Sequence, residues 1–74
     1  MTEKEFKKAF GKNIKSIRIQ KGIKQKVLAE LIGIAETNLS RVENGKDFVK
    51  AGTIINLARE LNCSYKDLFD FEIE

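Results

Sequence analysis

Four side chains near the middle of the chain, Glu36, Thr37, Asn38 and Arg41, combine hydrogen-bond donors, acceptors and a methyl group along one outward edge of a helix. Groups of that kind recognise a patterned polar surface; they do not assemble a reaction centre. Bond-making equipment is thin elsewhere. The 74 residues include no His and one Cys, Cys63, and no glycine-rich phosphate loop, so His-based triads and zinc sites are excluded and no cofactor or metal is expected. A catalyst would have to work with Asp, Glu or Lys in a chain too short for a sizeable pocket, and the chain is read as a non-enzyme. Cys63 follows an apolar run from Leu61 and reads as a small hydrophobe, with a redox or dimer-linking thiol as the other reading.

The net charge of +3 hides an asymmetry: residues 1–50 carry 12 Lys/Arg against 6 Asp/Glu, and residues 51–74 carry 2 against 5. One end is basic and the other acidic, which suits a protein that meets a polyanion with one face, although a solvated lysine-rich surface has the same composition. With 42% hydrophobic and 34% charged residues, the sequence reads as one water-soluble domain spanning 1–74. No segment approaches the roughly 20 consecutive apolar residues of a membrane span. Met1 to Lys8 is charged with no apolar signal region behind it. A cytoplasmic location and no membrane partner are therefore expected.

The elements that must position the polar edge are all helical. Proline is absent, and the punctuation falls to Gly11, Gly22, Gly33, Gly45 and Gly52. Thr2 and Glu5 form a capping box that starts a first helix near residue 3. Phe6, Phe10, Ile14 and Ile17 give that helix its apolar stripe up to Gly22; Gly11 inside it predicts a looser or kinked early part. Val27, Leu28, Leu31 and Ile32 define a short second helix over Gln25–Ile32, stopped by Gly33, which takes positive φ cheaply. A third runs from about Glu36 to Asn44 with Leu39 and Val42 inward. Phe48 and Val49 fold back onto the core. Ile54, Leu57, Ala58 and Leu61 mark a fourth helix ending near Asn62, and the box of Ser64 with Asp67 starts a fifth through Tyr65, Leu68 and Phe69.

Two eight-residue helices joined at Gly33 make a helix-turn-helix over about residues 25–44. A small residue is needed four positions before the turn glycine, where Ala29 stands, and apolar residues must follow on the inner face, as Ile34, Leu39 and Val42 do. Through Ile17-Arg18, Lys21-Gly22-Ile23, Gln25, Leu28-Ala29, Ile32-Gly33-Ile34, the run Ser40 to Gly45, Leu57-Ala58 and Leu61, the chain resembles the Cro and phage-repressor type of DNA-binding domain. The resemblance covers about Gly11 to Phe69. It implies an all-α, five-helix, lambda-repressor-like fold and a transcriptional regulator of double-stranded DNA.

The resemblance further implies phosphate contacts at Gln25, Asn44 and Lys46, which set register without reading sequence; Lys24 adds positive charge beside them. It assigns base reading to Glu36, Thr37, Asn38 and Arg41. Arg41 can fork onto guanine O6 and N7, Thr37 can touch a thymine methyl, Asn38 can pair with adenine, and Glu36 can accept only from cytosine N4. Arg18 and Glu43 stand where relatives pair the first helix with the end of the third; direct phosphate binding by Arg18 is the competing role. The chain departs from the family pattern at Lys24 and Ala35, where Ser or Thr usually caps the second and third helices, and at Glu36, which repels phosphates.

One recognition helix reads only a few base pairs, so a homodimer on a pseudo-palindromic operator is expected. Tyr65, Leu68, Phe69, Phe71 and Ile73 are its expected surface, unless they only close the core. An alternative keeps the fold but makes the chain an antitoxin or adaptor, with Phe71 and Ile73 gripping a protein partner.

Overall fold

Thr2 opens the first helix through the expected reciprocal bonds, its hydroxyl accepting from the Glu5 amide and its own amide donating to the Glu5 carboxylate, each at 3.1 Å. The computed structural model describes residues 1–72. Five helices follow in order: α1 (Glu3–Gln20), α2 (Gln25–Ile32), α3 (Glu36–Glu43), α4 (Ala51–Glu60) and α5 (Tyr65–Leu68). The described residues include no strand. Ser64 and Asp67 repeat the capping box at the start of α5. Four helices end in the same way: at Gly22, Gly33, Gly45 and Asn62 the chain takes a positive φ, and the amides of that residue and the next close back onto the last turn.

The core is one cluster built from every helix: Phe10 and Ile14 of α1, Leu28, Ala29 and Ile32 of α2, Leu39 and Val42 of α3, Leu57 and Ala58 of α4 with Leu61 at its end, and Leu68 of α5. Helix α1 packs on α3 and α5, α2 on α3 and α4, and α4 on α5. Phe48 sits 4.8 Å from the Phe10 ring centre and 5.7 Å from that of Phe6, so the loop after α3 does fold back onto the core. Asn13 donates from Nδ2 to the carbonyls of Asp67 and Leu68 at 2.9 and 2.8 Å, clasping the open end of α5 to α1.

Two sequence expectations need correcting. Helix α1 runs without interruption through Gly11, which is buried. A Cβ there would collide with the Val42 carbonyl and come within 2.9 Å of that of Glu43, so Gly11 serves close approach of α1 to the end of α3, not flexibility. On α2, Val27 and Leu31 are 45% and 49% exposed, because the core takes only the Leu28, Ala29 and Ile32 side of the helix.

Candidate nucleic-acid interface

The turn between α2 and α3 is set by Gly33 at φ +75°, with its amide donating to Glu30 and that of Ile34 to Ala29. Ala29 is 1% exposed and Leu39 and Val42 are buried, so the packed side of the helix pair belongs to the residues the sequence assigned to it. Glu36, Thr37, Asn38 and Arg41 are all exposed and lie together on the outer edge of α3. Neither Lys24 nor Ala35 supplies a side-chain cap. The first amide bonded within the start of α2 is that of Leu28, and within α3 that of Asn38. Both helix starts therefore present open N–H groups and the positive end of the helix dipole to a solvent-facing anion.

Behind this surface lies a charged network shielded from water. Arg18 donates from Nε to Glu43 Oε2 at 2.7 Å and from Nη2 to Oε1 at 3.0 Å, and its Nη1 reaches the Ile23 carbonyl at 2.9 Å. Gln25 Nε2 donates to the same Glu43 Oε1 at 3.0 Å. Both charged side chains are nearly inaccessible, at 10% and 2% exposure. The network ties α1, the loop before α2, the start of α2 and the end of α3 into one frame. It also neutralises the carboxylate standing beside the exposed edge.

That network changes how Gln25 can act. Expected to hold phosphate, it is half-buried and turns its donor inward to Glu43. The groups left open at this end of α2 are the helix amides and Lys24, which is exposed. Asn44 and Lys46 are exposed beyond α3, with Asn44 Nδ2 only loosely on Ser40 Oγ at 3.4 Å. Asp47 carried no sequence signal, yet its Oδ2 lies 3.9 Å from Arg41 Nε while its Oδ1 accepts from the Phe48 amide. Both side chains of that pair are more than half exposed, so it holds Arg41 weakly.

The residues expected to meet a second copy divide. Tyr65 is 54% exposed, but Leu68 is fully buried in the core of its own chain and cannot reach a partner. Phe69 stacks near Phe6 and Phe10 with ring centres 6.2 and 5.1 Å apart, and Phe71 lies 5.6 Å from Phe6. These rings mainly close the core. Ile73 lies outside the described residues. Ile55, 51% exposed, lines a shallow groove with Tyr65, Ala58 and Arg59 between α4 and α5, and sequence periodicity had not marked it. Cys63 also faces that groove; burial, helped by Asp67, pushes its thiol up, so it is a poor nucleophile. Among the described residues no group of acidic or cysteine side chains could hold a metal, and no helix is long and apolar enough to cross a membrane.

Residues 13–74 match the Cro/C1-type HTH DNA-binding domain family. The antitoxin PezA of Streptococcus pneumoniae is 40% identical over 58 residues, 78% of this chain; the chain spans only 37% of that protein's length. Among solved structures, the restriction-modification controller protein C.AhdI of Aeromonas hydrophila superposes with a TM-score of 0.80 at 32% identity, over 85% of this chain and 96% of the other. The clp gene regulator ClgR of Corynebacterium glutamicum does so at 0.81 and 27% identity, over 85% of this chain and 67% of its own.

Proposed function

This chain belongs to the Cro/C1-type helix-turn-helix DNA-binding domains, and from that premise we propose that it is a dimeric, sequence-specific transcriptional regulator reading the major groove with α3. The family is one of DNA-binding domains, not of enzymes. The observation that carries the proposal is the exposed edge of Glu36, Thr37, Asn38 and Arg41, presented beyond the Gly33 turn by a helix whose other side is core. Around it, Lys24, the open amides of α2, Asn44 and Lys46 contact phosphates. Gln25 and Arg18 act from behind by fixing Glu43. Contacts of Arg41 with guanine and of Asn38 with adenine are each worth about 1–3 kcal/mol of discrimination.

The second copy binds through the α4–α5 groove with Tyr65 and Ile55, placing two α3 helices on half-sites about one helical turn apart. Selection of bound sequences from a random duplex library tests both parts. A symmetric pair of short motifs is the expected outcome; recovery of unenriched sequence at low salt would defeat sequence reading, and a single motif would defeat the dimer.

A second reading, an antitoxin or adaptor gripping a protein partner, draws on the identity with PezA, an antitoxin. A toxin gene beside the gene for this chain would favour it.

A further inference from the structure

The first turns of α1 lie before residue 13, where the family match begins, and they carry a basic row that the helix-turn-helix itself does not explain. Lys4, Lys8 and Gly11 follow at i, i+4 and i+7 and so share one face of α1. Gly11 fixes where that face points, because its α-carbon abuts the Val42 and Glu43 carbonyls at the end of α3. Lys8 is held still closer to the exposed surface. Its Cα lies 2.7 Å, and its N 3.2 Å, from the position a Cβ would take on Gly45, so its backbone rests on the turn between Asn44 and Lys46. Lys4 stands one turn further out, about 6 Å along the axis.

Both lysines are exposed, and among the described residues neither makes an ion pair, whereas Lys7 on the next row is bound to Glu3 at 3.0 Å. Acidic groups stand nearby: Glu5 and Glu72 line a shallow groove with Lys8 and Lys12. The Glu5 carboxylate is occupied by the Thr2 amide. Two exposed cations, without an ion-pair partner among the described residues, therefore share the face of α1 that meets the end of α3 and, at Lys8, the turn between Asn44 and Lys46.

We propose that Lys4 and Lys8 form an additional phosphate-binding site for duplex DNA, flanking the segment read by α3 and lengthening the footprint of each protomer. The proposal rests on the DNA-binding reading above. The site takes phosphate charge without base preference, so it adds affinity and salt dependence but no sequence information.

The test compares the full chain with its K4Q/K8Q variant and with Lys21→Gln. Lys21 lies at the other end of α1 beside Asp67 and Asp70, so its variant removes charge away from the proposed site. Each is titrated with a duplex selected by the wild type, either trimmed to the enriched motif or extended by about ten base pairs of flank, roughly one helical turn. On the extended duplex the double variant is expected to show a salt slope shallower by about 1.8 per protomer, so the wild-type advantage shrinks about 12-fold for each bound protomer between about 50 and 200 mM salt. Lys21→Gln keeps the wild-type slope, and on the trimmed duplex all three proteins bind alike. Parallel slopes for wild type and K4Q/K8Q with binding intact overturn this inference alone, as does an equal loss in Lys21→Gln. A wild type with no salt-sensitive binding to any duplex removes the DNA reading and this site together.

Discussion

Removing the Glu43 carboxylate is the perturbation whose size the structure sets most tightly. In Glu43→Leu three acceptor contacts vanish at once, two from Arg18 and one from Gln25. The guanidinium, 10% exposed, is left with the Ile23 carbonyl as its remaining partner. Stranding one partner of a buried pair costs about 3–5 kcal/mol. A domain of 74 residues has a total stability of about 4–11 kcal/mol at ordinary per-residue values. The single variant therefore loses about a quarter or more of its stability, and its Tm falls by at least about 12 °C at about 4 °C per kcal/mol. Arg18→Met strands Glu43 in the same way. Replacing both, as R18M/E43L, leaves no uncompensated charge, so the double variant is more stable than either single one and the coupling exceeds about 2 kcal/mol. Urea unfolding followed by far-ultraviolet circular dichroism reads all four corners of the cycle. Single-variant costs below about 1 kcal/mol that simply add would refute the assignment, because they are the signature of a solvent-screened pair.

Three further outcomes follow from local geometry. Gly11→Ala lowers the urea midpoint by the equivalent of about 2 kcal/mol or more, since the collision with the Val42 carbonyl outweighs the gain of up to about 1 kcal/mol in helix propensity; a raised midpoint would mean that α1 and α3 are not in contact there. At Gly33 a Cβ would meet nothing within 4 Å, so Gly33→Ala costs only the left-handed conformation, about 1–2 kcal/mol, and Gly33→Asn costs less; equal losses for Ala and Asn would contradict this. The hydrogen bond from the Thr2 amide, with the Thr2 hydroxyl close by, holds Glu5 below its ordinary value of 4.5. A depressed carboxylate stabilises the fold above the unfolded value and loses that contribution as pH falls through its folded one. A carbon-detected titration finds the Glu5 midpoint below 4.5, and a midpoint at or above 4.5 would show the capping box open.

The helix order was legible because its signals are local: capping boxes at Thr2 and Ser64, glycines at the ends, and apolar residues at helical spacing. What escaped depends on which elements meet. Gly11 looked like a weak point in a helix, since nothing along the chain reveals that the Val42 and Glu43 carbonyls press on it. Gln25 looked free for phosphate, but its donor is spent on a carboxylate 18 residues away. Leu68, Phe69 and Phe71 carried more hydrophobe than a small core was expected to use, yet Leu68 is fully buried and Phe6 and Phe10 gather around the two rings. The exposed edge of α3 was readable because the Gly33 turn and the inward Leu39 and Val42 leave its residues no other direction.

The central claim is that Arg41 on the outer edge of α3 enters the major groove. Guanine N7 opens onto that groove, so dimethyl sulfate protection on the selected duplex tests the claim most directly. The account predicts one guanine in each half-site that is shielded by the wild-type protein and becomes reactive again with Arg41→Ala, while protection elsewhere persists. Guanines that stay fully reactive under saturating protein, or a protection pattern unchanged by Arg41→Ala, would contradict it.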